Sequence, residues 1–523
     1  MIRLSVILIL FPALLFGQSG ELIPSFGNQG KLILDIDDLD NLVGLCSDDD
    51  ENTIFFGNTS ENLIGEYPYD IFIGKLNSSG ELDQSFADQG IFRADFPSHS
   101  ISSIEKAVYH SSGIYFIGKG RNPASSDSSK LFVGKLNLDG SLDLNFADNG
   151  YFTDSFLGAY NTPGSLIIDQ ENRIVFCGST TDDQGTLVEY PLIGRLNLDG
   201  SPDLSFGTTG VIVWDYHQGV LIDYMHVNLT QDRHGEGLYL NEILEINNTY
   251  FLCGKYLLGA FSQVHYMSIT KEGEMNPNFI SPGPINFQID PGYNNYITSS
   301  AFDGENIYLG MLTDGELYNG KQLLQKIDTN GVLSTLRVIE KEGQDLQTKF
   351  VKSWDNRIFI GGYDLSDENI GPGVHSDKFS FKGLDTNLEP LSGFNFHESI
   401  TSNEDQGAED LVLYDNHAIL GGYANDLVGN NITDLVFMSF KMDEDVSIEE
   451  DKLMLQAYPN PCTEHLELSI PMNESNIRII NILGQEMSFT WEESRINCQS
   501  FPKGAYVLLL SGAIDEQLKF IVE

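Results

Sequence analysis

The sequence predicts an all-β chain: a seven-bladed β-propeller over residues 20–443, followed by a small Ig-like β-sandwich over 453–523. Three observations lead there. Phe26, Phe86, Phe146 and Phe206 are spaced by sixty residues, and so are Gly30, Gly90, Gly150 and Gly210. Short apolar runs ending in Gly recur at Gly57, Gly118, Gly178, Gly254, Gly310, Gly361 and Gly421. Beyond Leu455, apolar and polar residues alternate with period two, as in half-buried strands. A fixed repeat without helical periodicity inside it indicates a repeated β unit.

Each unit reads as four short strands. An apolar run ending in an acid follows the Gly, as in Lys31 to Asp35, Ile91 to Asp95 and Val211 to Asp215. A second strand follows, such as Leu42 to Cys46 or Ser165 to Ile168, closed by a polar turn like Asp169-Gln170-Glu171-Asn172. The third ends in Gly, as in Ile54 to Gly57 and Ile174 to Gly178. The fourth is Ile71 to Asn77, echoed by Leu131 to Asn137 and Leu192 to Asn197. Turns such as Leu198-Asp199-Gly200 return the chain, because Gly takes positive φ without a Cβ clash. The pattern weakens after Gly210 but continues through Met267–Lys271, Leu323–Asp328, Lys378–Lys382 and Val436–Asp443. The last unit finishes on its third strand, and the chain begins with a lone fourth-type strand, Lys31 to Asp35. That strand is expected to complete the last blade and close the ring.

Leu-Asp-x-Ser-Phe-x-x-x-Gly at 82–90, with its variants at 142–150 and 202–210, resembles the delta-60 repeat. The resemblance implies a propeller-type fold in an exported bacterial protein and no particular chemistry.

Charge narrows the partners. Lys and Arg total 29 against 76 Asp and Glu, a formal net charge of -47. So acidic a surface repels phosphate backbones and anionic lipid, which argues against nucleic acid and membrane surfaces. Residues 1–17 read as a signal peptide: a basic start at Arg3, an apolar core from Leu4 to Leu15, and small Gly17 before Gln18. No later apolar stretch is long enough to cross a bilayer as a helix.

Residues 444–452 form an acidic linker. After it come Tyr458-Pro459-Asn460-Pro461, the turn around Gly484, the strand with Gly504 and Tyr506, and the ending Lys519-Phe520-Ile521-Val522. These landmarks, in this order, resemble the type A sorting domain of the type IX secretion system. The resemblance implies passage across the outer membrane on that machinery, with the propeller as cargo.

No catalytic residue set, metal site or cofactor motif is predicted. Gly113 to Lys119 imitates the start of a phosphate loop but lacks the Ser or Thr, since residue 120 is Gly. Asn137-Leu138-Asp139-Gly140 has Lys135 where a calcium loop needs its first acid, so it reads as a hairpin turn. Cys462 and Cys498 share the C-terminal domain and can bridge, whereas Cys177 and Cys253 read as small buried hydrophobes. The insertion at 217–237 reads as a polar loop, with Asp223, Asp232 and Glu236 as its candidate carboxylates.

Alternating strands put the uniform short turns on one face and the variable connections on the other. The variable set is rich in Tyr: Tyr67, Tyr69, Tyr160, Tyr190, Tyr216, Tyr256, Tyr293, Tyr363 and Tyr423. Variable loops on a rigid scaffold carry binding, and exposed Tyr offers area with few rotors. Tyr67, Tyr69 and Tyr216 are therefore the candidate ligand residues. Two functions remain open: an exported binding module for glycan or protein, or a polysaccharide-active enzyme using top-face carboxylates.

Overall fold

The computed structural model describes residues 20–60, 70–94, 101–121, 129–154, 156, 160–181, 189–207, 209–215, 220–223, 236–258, 261–280, 285–289, 293–314, 321–339, 344–366, 378–398, 406–425, 433–442, 457–458, 462–468, 477–481, 485–492, 495–510 and 517–522. It divides into two compact units, Met1–Met442 and Asp443–Glu523. All regular elements among the described residues are strands.

The large unit is propeller-like. Its 8-stranded sheet divides at the single parallel pair Leu39↔Thr433, and its 9-stranded sheet divides at Glu189↔Gly237. With three separate 4-stranded sheets, the described residues give seven antiparallel groups. The first group runs Leu39–Ser47, Thr53–Ser60, Asp70–Leu76 and Ile91–Ala94 from inside to outside. Strand Val220–Asp223 is an addition to the third group, at the outer strand Val211–Asp215. The first strand of each group packs on the first strand of the next, from Leu39–Ser47 against Ile101–His110 through Gln344–Trp354 against Gln406–Leu413. Gln406–Leu413 in turn packs on Leu39–Ser47.

The sixty-residue repeat is out of phase with the sheets by one strand: the run after each Gly is the outer strand of the preceding sheet. Lys31–Leu34 accordingly pairs antiparallel with Thr433–Lys441, in register Lys31↔Met438 to Leu34↔Leu435. One reading needs correction. The third-type strands do not end at their Gly but run on to Ser60, Arg121 and Thr181.

The repeated residues form a clasp between units. Phe26, Phe86, Phe146 and Phe206 are all buried. Each lies under the turn glycine of the following repeat: Gly80, Gly140, Gly200 and Gly273. The backbone closes the same joint, with Ala87 N–H donating to Asp139 O at 2.7 Å and Ala147 N–H to Asp199 O at 2.8 Å. Gly140 has φ +81, and a Cβ there would lie 3.0 Å from the Phe86 ring, so the turn needs Gly for both reasons. A second joint lies inside the repeats that keep the motif. Lys135 pairs with Asp143 at 2.9 Å and Arg195 with Asp203 at 2.7 Å, while Lys75 pairs with Asp48 at 2.7 Å. At the same position further along, a neutral pair replaces the ions: Asn276 Nδ2 donates to Ser268 Oγ at 3.0 Å. Met275-Asn276-Pro277-Asn278-Phe279 is thus another copy of the motif, with Phe279 buried under Gly331. Phe146→Ala, which empties one clasp, is expected to destabilise the large unit by about 3–5 kcal/mol. Denaturant unfolding of the purified chain measures this directly.

The C-terminal unit has two 4-stranded sheets. One is ordered Ala457–Tyr458, His465–Leu468, Arg495–Asn497, Trp491–Glu492; the other is ordered Glu486–Met487, Ile477–Asn481, Gly504–Leu510, Gln517–Val522. Leu466, Ile479, Ile496, Tyr506 and Leu508 fill the core between them.

Candidate functional site

Every innermost strand of the large unit carries a β-bulge at its middle. The unpaired residues are Val43, Glu105, Gly164, Asn241, Thr298, Lys349 and Glu409, one in each of the seven groups. A bulge puts an extra residue on one strand and re-aims its side chain. Here all seven line one cavity of about 390 Å³, together with residues such as Lys106, Glu242, Lys352 and Asp410. That volume falls within the usual ~300–1,000 Å³ of small-molecule sites.

Partner strands make room for the bulges. Opposite the first, a Cβ on Gly57 would lie 2.1 Å from the Asn41 carbonyl oxygen. Glycine at that place in the third-type strand is therefore a consequence of the bulge on its neighbour.

The wall is polar and internally tied. Lys349 Nζ lies 3.3 Å from Glu409, and Lys352 Nζ lies 2.7 Å from Asp410. Asp410 also accepts the Leu45 N–H at 2.9 Å, joining the last group to the first. Asn58 Oδ1 accepts the Ile104 N–H at 2.9 Å, and Glu242 accepts from Ser165 Oγ at 3.3 Å. The Tyr363 hydroxyl donates to Glu409.

Burial governs the charge states. It pushes the Glu409 carboxyl up to about 7, with the Lys349 ammonium only partly offsetting it. Burial likewise raises Glu105 and Glu242. Burial opposes the Lys106 ammonium, yet Glu242 and Asp410 outweigh that and hold it above the ordinary lysine value. The Lys106 ammonium is thus held charged, while the Glu409 carboxyl is brought into the range where it can exchange a proton near neutral pH. The wall therefore offers fixed cationic donors beside carboxyls that can accept or donate, a lining suited to hydroxyl-rich or acidic groups.

A second charged cluster is structural. Asp169 accepts the Tyr250 hydroxyl at 2.6 Å and pairs with Arg173 at 2.8 Å and Lys271 at 3.2 Å. Burial would raise its carboxyl, but these partners together hold it at about 2. The cluster cross-links the third and fourth groups through groups that already satisfy one another.

The residues predicted for binding fare unevenly. Tyr67, Tyr69 and Tyr216 lie outside the described residues, as do Asp232 and the stretches 1–17 and 444–452 expected to be signal peptide and linker. Asp223 and Glu236 fall in strands, at the ends of Val220–Asp223 and Glu236–Ile246. Tyr190 is not a loop-tip aromatic: it stands in strand Glu189–Asn197 and is buried in the core between neighbouring groups. Tyr363 is also in a strand, and it reaches the cavity wall through Glu409. Among the described residues, no group of three or more His, Cys, Asp or Glu could hold a metal ion. No described helix is long and apolar enough to cross a membrane.

In the C-terminal unit, Tyr506 is buried and donates its hydroxyl to the Pro502 carbonyl at 2.6 Å. Tyr458 and Lys519 stand in strands opposite Glu467 and Val507. Pro459, Asn460, Pro461 and Gly484 lie outside the described residues. The buried thiols of Cys462 and Cys498 are 3.0 Å apart.

No curated protein matches the chain. Among solved structures, it is similar to a polysaccharide lyase described as ulvan lyase (10% identity over 76% of this chain and 94% of that one, TM-score 0.41). It is also similar to the polysaccharide lyase Uly1 (8% identity, 83% and 94%, TM-score 0.40) and to a catalytically inactive virginiamycin B lyase from Staphylococcus aureus (9% identity, 78% and 99%, TM-score 0.38). Likenesses this distant bear on neither substrate nor chemistry. The C-terminal match is of another kind, for it covers the sheets just described. Residues 456–523 match the family described as the secretion system C-terminal sorting domain, which marks the chain for export to the cell surface or the medium.

Proposed function

We propose that the chain is an exported, non-enzymatic binding protein, a closed seven-bladed propeller of delta-60-type repeats that holds a glycan at its central cavity. Type IX secretion machinery is its delivery partner. The observation that carries the reading is the run of seven bulges, one per group, around a single polar cavity. Paired lysines and carboxylates held in place before a ligand arrives lower the ordering cost of binding. In this reading Tyr67, Tyr69 and Tyr216 contribute aromatic contacts from the variable connections.

A glycan array probed with the mature chain, beside a turnover assay on the same sugars, tests it. Binding without product is expected, weakened tenfold or more by Lys106→Met in a chain that still unfolds in one cooperative transition. Binding that survives Lys106→Met but is lost when Tyr67, Tyr69 and Tyr216 become Ala moves the site to the loops. Absence of binding to any glycan rejects the reading.

One observation favours the alternative of a polysaccharide-active enzyme. The Glu409 carboxyl, at about 7 and hydrogen-bonded by Tyr363, can exchange a proton near neutral pH, as a general acid or base must. Product formation with a pH limb near 7 that disappears in Glu409→Gln would establish it. Activity lost instead on changing Asp223, Asp232 or Glu236 would place the chemistry in the insertion.

A further inference from the structure

We infer that Cys462 and Cys498 become a disulfide after export, and that this bond staples the sorting domain into its folded form. The two sulfurs are 3.0 Å apart, about 1 Å from bonding distance, across a separation of 36 residues. Both side chains are wholly buried in the core between the two sheets. The pair also sits where the sheets join. Cys462 bridges in parallel to Val522, in the last strand of one sheet. Cys498 directly follows Arg495–Asn497 of the other, and its N–H donates to the Glu464 carbonyl at 2.8 Å. A covalent link at this point ties the first turn, the inner hairpin and the final strand together.

The compartment supplies the chemistry. A chain carrying this sorting domain leaves the reducing cytoplasm, and exported domains with small cores are commonly braced by disulfides. Oxidation is thiol–disulfide exchange with a disulfide-bearing oxidant of the exported compartment. One S–S bond forms in the chain as the oxidant's S–S bond breaks, and the two electrons and two protons given up by the thiols, the protons passing by way of solvent, leave the oxidant as a dithiol. Burial pushes the Cys498 thiol up to about 12, so the folded dithiol is a poor nucleophile. Exchange therefore belongs to the folding stage, before the core closes over the sulfurs. The other three cysteines stand apart in the large unit: Cys46 is partly buried, while Cys177 and Cys253 are fully buried.

Counting thiols tests the inference without knowing any ligand. The full-length chain, captured in the periplasm, is denatured and treated with a mass-tagged maleimide, with and without prior reduction. The chain has five cysteines, so three tags without reductant and five with it are expected. Peptide mapping should link Cys462 to Cys498. Reduction should lower the melting midpoint of the C-terminal transition by roughly 10–20 °C, and Cys462→Ser with Cys498→Ser should reproduce the drop without reductant. Five tags before reduction, a link to any other cysteine, or a midpoint indifferent to reduction overturns it.

Discussion

A chain lacking residues 453–523 is expected to fold, cross the inner membrane, and stop in the periplasm, with its released or surface fraction falling to background. The physical ground is that, among the described residues, each unit has hydrophobic clusters of its own. The C-terminal cluster draws only on residues from Cys462 to Val522, and the clusters of the large unit draw only on residues up to Met442. Removing the sorting domain should therefore leave the cargo's own clusters intact, and its melting temperature should stay within a degree or two of the parent's. What is lost is the address. Immunoblots of periplasm, cell surface and medium give the distribution, and a melting curve of the periplasmic product shows that it is folded. Normal release of the truncated chain would mean that export reads another segment. Release blocked together with a collapsed melting curve would mean that the units depend on each other for folding.

The sequence revealed what repeats and concealed what varies. Phe86, Phe146 and Phe206 with their turn glycines are legible because every unit needs the same clasp. The next copy, at Met275 to Phe279, is masked in the sequence because Asn276 and Ser268 replace the ion pair with a neutral hydrogen bond. That exchange keeps the geometry and changes the letters. The cavity was hidden for a related reason. Its seven bulged positions hold Val, Glu, Gly, Asn, Thr, Lys and Glu, so no composition pattern marks them. A signal was present all the same. Gly57, Gly118, Gly178 and Gly254 would each drive a Cβ to within about 2.3 Å of a carbonyl on the bulged neighbour. Recurring mid-strand glycines thus mark where the innermost strand turns its side chains inward. The Tyr pattern misled because an aromatic near a strand end packs between sheets as readily as it faces solvent, as Tyr190 does.

Deleting residues 20–36 is expected to cost the large unit on the order of 5–8 kcal/mol, more than any single substitution in it. Phe26 is buried in a cluster with Leu42, Phe55, Phe72 and Phe437, and losing it resembles a large-to-small core change of about 3–5 kcal/mol. The remainder is the ladder. Lys31–Leu34 pairs with Leu435 to Met438, Ile23 N–H donates to Ser439 O at 2.8 Å, and Ser439 N–H donates to Gly30 O at 3.1 Å. Without that strand, Thr433–Lys441 becomes an exposed edge carrying unpaired backbone groups, a template for aggregation as well as a loss of stability. The position of the strand matters more than its length. It comes first in sequence yet completes the last group, so its removal takes away most of the backbone pairing between two distant parts of the chain. The single parallel pair Leu39↔Thr433 and the Thr433 N–H to Asp38 O bond, at 3.1 Å, then remain as backbone links between them. Guanidinium unfolding and limited proteolysis separate the contributions. Phe26→Ala should show the core part alone, with the 406–441 segment still protected, whereas the deletion should lower the midpoint further and expose that segment to cleavage. An unchanged midpoint in the deletion would falsify closure through a shared sheet, because a strand that can leave without cost is not holding the ends together.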